Sequence, residues 1–219
     1  MKLFQSKQGA RAGYTMVEIM VSLTVASIFM SSLFMAQDTG QKVASRATHE
    51  DETQARLSRA VTRVASELRS IIDTSIWEDL SGLSNETNIL TFQGVESIDE
   101  GVMVPGVVTR LEYVLEAGEL LDDVDNDGDG LIDEGSVVLT RDPTGPNEIS
   151  VTLCRNVREY YQGESLDFDD ENDNGLVDEA GFHIQRIGDQ LIVRLTVEDV
   201  DLRGDVVIKS AEALIRIRN

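Results

Sequence analysis

The sequence has little of what covalent bracing or catalysis usually needs. One cysteine in 219 residues, Cys154, excludes an intrachain disulfide and a multi-cysteine zinc site. Three prolines exclude a proline-rich linker protein. Aromatic residues make up only 5%, although the 41% hydrophobic content argues against a wholly disordered acidic tail. Cations are scarce, with 19 Lys+Arg against 40 Asp+Glu, a net charge of −21 and a pI near 4.3. A polyanion is held by clustered cations, so nucleic acid is not expected as a partner. Neither a glycine-rich phosphate loop nor a metalloprotease motif occurs. His49, beside Glu50 and Asp51, is expected to be exposed on a polar helix. His183 is expected as a surface or partly buried imidazole, and Cys154 as a half-buried strand residue. No converging catalytic set emerges, so the chain is not expected to be an enzyme.

The charge is uneven along the chain. Residues 1–13 hold Lys2, Lys7 and Arg11 and no acid, whereas 122–134 holds seven acids and 164–179 holds eight. From Tyr14 to Ala36 the chain reads YTMVEIMVSLTVASIFMSSLFMA, in which Glu18 is the only formal charge. A helix of that length, at about 1.5 Å per residue, can cross a hydrocarbon core. The cationic stub before it should stay in the cytoplasm and leave the rest outside. The apolar run is too long for a secretory signal peptide, and no small-x-small cleavage site follows it. A plain anchor leaves Glu18 unexplained, because a carboxylate inside an apolar span costs about 3 kcal/mol and implies a partner. Cleavage between Gly13 and Tyr14 would create an amine four residues before it. An ammonium and a carboxylate so placed suit neutralisation between neighbouring helices of a bundle.

Gly13-Tyr14-Thr15-Met16-Val17-Glu18, after a short basic leader and before an apolar helix, resembles the cleavage and methylation motif of type IV prepilins and type II secretion pseudopilins. The resemblance covers residues 7–36. It implies that a prepilin peptidase cuts after Gly13 and methylates Tyr14, and that Glu18 serves assembly with other pilin or pseudopilin subunits on an inner-membrane platform. Two departures narrow the choice. Met35 stands where major pilins usually carry a helix-breaking proline, and Ser27 where they carry a glycine. Major pilins also tend to close a C-terminal loop with a disulfide, which one cysteine cannot supply. The chain therefore looks like a minor subunit, and the presence of Glu18 separates it from the tip pseudopilin type that lacks this acid.

Past Ala36, Leu57, Val61, Val64, Leu68, Ile71 and Ile72 recur at three- and four-residue spacing, which predicts an amphipathic helix over 37–73 that needs a sheet to cover it. Gly40 weakens the link between the two helical parts by roughly 1 kcal/mol, so a bend is expected there. From 74 to 219 short strand-like runs dominate: Ile89–Phe92, Val107–Leu115, Val137–Thr140, Ile149–Leu153 and Phe182–Ile187. Leu191 to Val197 and Ala211 to Ile217 alternate around a turn at Asp201–Gly204, the pattern of an antiparallel hairpin. The expected fold is α+β, one long helix packed on a one-sided antiparallel sheet.

The acidic segments 122–136 and 167–181 align without a gap at an offset of 45, and both contain the D-x-[DN]-x-[DN]-G pattern of calcium loops. A start at Asp123 would place Glu134 twelfth, as in an EF-hand, but would put Gly130 at the usually apolar eighth place. The repeat favours a start at Asp125 and Asp170. The expected ligands are then Asp125, Asp127, Asp129, the Leu131 carbonyl and Asp133, matched by Asp170, Asn172, Asn174, the Leu176 carbonyl and Asp178. Ile132 and Val177 become the inward apolar residues. No bidentate Glu stands twelfth, so Glu134, Glu179 or an upstream acid such as Asp122 or Asp167 would have to fill in. The loops resemble those of dockerins and thrombospondin type 3 repeats. Two asparagines lower the charge of the second loop and its expected affinity for Ca²⁺. Both loops lie between strands, where an ion staples a loop and does not swing a helix.

The sequence is thus read as a minor pilin of W type or minor pseudopilin of J type. Its expected segments are a leader 1–13, a transmembrane and assembly half 14–36, an amphipathic half 37–73 and an extracytoplasmic strand-rich domain 74–219. It would be held in the inner membrane and then packed near the tip of a type IV pilus or type II secretion pseudopilus. The alternative is a membrane-anchored calcium-dependent adhesin or binding module that never polymerises.

Overall fold

The computed structural model describes residues 14–72, 86–171, 177–201 and 204–217. One helix, α1 (Met16–Leu68), precedes eight strands: β1 (Glu86–Thr87), β2 (Ile89–Asp99), β3 (Val102–Leu115), β4 (Gly135–Arg141), β5 (Ile149–Val157), β6 (Phe182–Ile187), β7 (Gln190–Val200) and β8 (Val206–Arg216). The chain divides into two compact units, Met1–Ser45 and Arg46–Asn219. The expected leader 1–13 and the stretch 73–85 lie outside the described residues.

In the first unit the helix begins where Thr15 can cap it. The Glu18 N–H donates to Thr15 Oγ1 at 3.3 Å, and the Ile19 N–H donates to the Thr15 carbonyl at 3.2 Å. Thr15 and Glu18 have the spacing of a capping box, and a carboxylate in the first turn also suits the positive end of the helix dipole. Beyond it the apolar side chains are exposed, among them Phe29, Phe34 and Met35. An apolar surface of this extent is stable only against lipid or other apolar helices. Four hydroxyls within it are satisfied internally, since Ser22, Thr24, Ser27 and Ser32 each donate to a carbonyl three or four residues back. The helix continues unbroken through Gly40.

In the second unit the stripe read from the sequence is the core face of α1. Leu57, Val61, Val64 and Leu68 are buried, joined by Ala60 and Ala65, and Ile71 follows just past the helix end; Ile72 is only half-buried. They pack on Leu90, Leu111, Val137, Phe182, Leu195 and Ile215 from six strands. Burying each such aliphatic side chain contributes about 1.5–3 kcal/mol. Arg56 ties the helix to β7, donating to the Glu198 carbonyl at 3.0 Å and to Asp199 Oδ2 at 3.2 Å. His49, expected exposed, is half-buried on this helix.

The strands form one antiparallel sheet in the order β1-β6-β7-β5-β4-β3-β2, with β8 also paired to β7. β7 faces β6 over Gln190–Leu195 and meets β5 at Val157↔Val197, so both lie end to end along one side of it. Thr196 falls at their junction, receiving the Arg158 N–H on its carbonyl and donating its own N–H to the Gly181 carbonyl. β7 is consequently buried on both faces from Leu191 to Val193 and from Leu195 to Glu198, where the alternating pattern had implied a one-sided sheet. β2 and β3 run further than the apolar runs suggest, because Glu100 and Gly101 both have positive φ (45° and 85°) and close a two-residue turn. Pro105 fits inside β3 because β4 pairs only with Thr109–Leu115, leaving the side beyond free of a ladder.

Candidate functional site

The two acidic loops are parts of a longer repeat of strand, loop and strand. Leu115 pairs with Gly135 at the base of the first loop, and Tyr160 pairs with Ala180 at the base of the second, again 45 residues on. The Glu116 N–H donates to the Glu134 carbonyl at 3.0 Å, as the Tyr161 N–H does to Glu179 at 2.8 Å. Asp133 accepts the N–H groups of Asp122 and Asp123, and Asp178 accepts those of Asp167 and Phe168. Even the strained residues correspond: φ is 59° at Asp123 and 67° at Phe168, 54° at Asp133 and 53° at Asp178. The match begins earlier than the acidic run, at Gly118-Glu119 and Gly163-Glu164, where both glutamates are buried. Glu119 and Glu164 were missed by sequence reasoning, although carrying the same gapless offset three residues back from Asp122 finds them.

In the first loop the backbone wraps around its own carboxylates. Asp125 Oδ2 accepts the Gly130 N–H at 3.0 Å, five residues on, the bond expected between the first and sixth places of a loop starting at Asp125. Gly130 has φ +95°, a conformation that side chains with a Cβ adopt at a cost. Asp127 Oδ1 accepts the Asp129 N–H at 3.0 Å, and Asp129 Oδ1 accepts the Leu131 N–H at 2.9 Å. Beneath them Glu119 accepts from Asn126, Asp127 and Asp133. One carboxylate oxygen from each of Glu119, Asp125 and Asp127 lies within 4.8 Å of the others, and the same holds for Asp127, Asp129 and Glu134. Asp127 therefore joins two triads into one bowl of five carboxylates.

Glu134 is the unusual member. Its exposure is 0%, and neither carboxylate oxygen has a hydrogen-bond partner among the described residues. Burial, with the carboxylates of Asp129, Glu119 and Asp127 nearby, pushes its pKa up to about 7. The next residue, Gly135, is pressed against the Tyr113 ring, where a Cβ would stand 2.5 Å from a ring carbon. A buried carboxylate without a donor carries a desolvation cost that a proton or a cation removes. Hard oxygens around an orphaned acid suit a divalent cation of the Ca²⁺ type.

Asp133, the expected ninth-place ligand, stands apart from the bowl. Its carboxylate is taken by the loop entrance and groups with Asp123 and Glu159. The inward apolar residue also differs from expectation. Ile132 and Val177 are each 50% exposed, and Leu131 is the one buried, because the turn at Asp133 reverses which side chain meets the sheet. In the second loop Asn172, Asn174 and Leu176 lie outside the described residues, while Asp170 is half-buried and Asp178 holds the entrance. Glu179, the counterpart of Glu134, has Arg194 Nη1 3.9 Å from its Oε1. Arg194 also meets Glu212 at 2.9 Å and His183 Nε2 at 3.3 Å. His183 is fully buried, contrary to expectation, with Nδ1 2.8 Å from the Ala180 carbonyl; burial first and Arg194 second lower its pKa. Cys154 is buried as well, its thiol pushed up to about 11 by burial.

At the N-terminus Gly13 lies outside the described residues. Tyr14 is 79% exposed, and it shares one face of the helix with Glu18 and Ser22 at four-residue steps. Residues 9–34 match the family described as the prokaryotic N-terminal methylation motif. No curated protein and no solved structure gives a significant match to the chain. The motif and the long exposed apolar helix that follows it support a type IV pilin-like protein and point to a structural subunit rather than an enzyme. A single apolar N-terminal helix behind this motif fits a membrane-anchored pilin or pseudopilin. The motif implies processing by a prepilin peptidase and assembly with other pilin subunits.

Proposed function

We propose that this chain is a minor subunit of a type IV pilus or type II secretion pseudopilus, placed near the tip and braced by Ca²⁺ in its acidic loops. The supporting observation is the coincidence of the 9–34 motif with an apolar helix none of whose most hydropathic window is buried. That surface has lipid as its first solvent and the helices of other subunits as its second. Cleavage after Gly13 frees the Tyr14 amine one turn before Glu18, giving neighbouring helices an opposite pair of charges in a medium where either alone is costly. Ser27 and Met35, in place of glycine and proline, favour a minor over a major subunit. The second unit, strand-rich and extracytoplasmic on this reading, sits where calcium is plentiful, and a cation there neutralises the repulsion of crowded acids.

The test is mass spectrometry on the filament fraction sheared from cells. A chain beginning at N-methyl-Tyr14 in that fraction is the expected result. A chain retaining Met1 and staying with the membrane overturns the filament reading in favour of a tethered calcium-dependent binding module.

A further inference from the structure

The first loop holds more carboxylates than its own backbone can satisfy. Asp125 is taken by Gly128 and Gly130, Glu119 by three N–H groups and Asp133 by two. Among the described residues Glu134 is left with two buried oxygens and no donor. It is not crowded out of the site, because one of its oxygens lies within 4.8 Å of oxygens on Asp127 and Asp129. The second loop offers a built-in comparison: its matching Glu179, equally buried, faces the Arg194 guanidinium.

We infer that Glu134 is a direct ligand of a Ca²⁺ ion bound with Asp127 and Asp129, and that Asp133 lies outside the ion's coordination shell. The inference rests on the reading of the first loop as a calcium loop and changes who holds the ion. Counted from Asp125, the buried carboxylate stands tenth, between the ninth-place Asp and the twelfth-place Glu of the patterns that the spacing suggests. An ion held there is fixed from outside by two exposed aspartates and from inside by the residue that enters β4. It thereby fastens the loop to the sheet. Arg194 of β7 offers Glu179 a positive charge from the neighbouring strand.

The experiment is calorimetric titration of Ca²⁺ into the full-length chain, solubilised in detergent and stripped with a chelator. Wild-type chain binds, and Glu134→Gln weakens binding by at least about tenfold, the loss expected for a ligand. Asp133→Asn and Glu179→Gln stay within about threefold of wild type. Glu134→Gln also melts higher than wild type in chelator, because the uncharged amide removes the buried charge, and it gains nothing from Ca²⁺. A merely structural role lowers its melting temperature in both conditions. Glu134→Asp, which keeps the charge but withdraws it by one methylene, weakens binding by a smaller factor. Binding by Glu134→Gln or Glu134→Asp equal to wild type overturns the ligand assignment and leaves the calcium reading standing. No binding by the wild-type chain overturns both.

Discussion

The two acidic loops share sequence, base pairing, entrance hydrogen bonds and left-handed residues, yet they neutralise their buried glutamates differently. Glu179 has Arg194 of β7 beside it, whereas Glu134, among the described residues, groups with the carboxylates of Asp127 and Asp129. The cause lies outside both loops. β6 runs alongside the N-terminal part of β7, which brings Arg194 opposite His183 and within reach of the second loop's exit. The first loop leaves into β4, which pairs with β3 and β5, and among the described residues Glu134 gains no hydrogen-bond partner there. A motif aligned without a gap can therefore place its buried acid beside an arginine of a neighbouring strand in one copy and among other carboxylates in the other. What decides is the neighbouring strand, which no alignment of the loops contains.

The largest test of that contrast is Arg194→Met. It takes the cation away from the buried Glu179, and removing one partner of a buried ion pair costs about 3–5 kcal/mol. The expected loss is read as a lower urea midpoint of the full chain in chelator. A change below about 0.5 kcal/mol would show that the second loop does not depend on the arginine. A smaller effect sharpens the comparison from the first loop's side. Glu198 of β7, buried against that loop's exit with Arg158 3.9 Å away, has its pKa pushed up to about 7 from 4.5, by burial first and by Asp129 as well. The raised folded pKa means the native state holds this proton more tightly than the unfolded chain. Its contribution is complete below pH 4.5 and is lost as the pH rises through about 7. In chelator, Glu198's share of the fall in stability across that window should be at most about 3 kcal/mol, and Glu198→Gln should make the fall shallower by that share. An unchanged slope in that variant would remove Glu198 from the account.

Much of the architecture is written in the chain itself. The three- and four-residue recurrence of Leu57, Val61, Val64 and Leu68 defined the face of α1 that is buried, and Phe182–Ile187 begins and ends as a strand where its β-branched and aromatic run does. The alternation over Leu191–Val197 gave the hairpin but not its depth, because Ile192 and Thr196, at the positions read as outward, are buried too. In the loops, the spacing of Asp125, Asp127 and Asp129 was legible and the Asp125-to-Gly130 bond follows its frame. Less legible was which acids turn inward. Asp133 and Glu134 are adjacent and chemically alike, and only the positive φ at Asp133 sends one to the loop entrance and the other beneath the bowl. Ile132 was misplaced for the same reason.

The claim on which the functional account depends concerns the other end of the chain, where an exposed apolar helix carries a carboxylate one turn after the expected new N-terminus. The direct measurement is the amount of this chain in the sheared filament fraction of cells expressing Glu18→Ala, compared with wild type at equal membrane level. The account predicts that the variant is cut and methylated at Tyr14 yet is missing from the filaments; equal amounts of both chains in that fraction would contradict it.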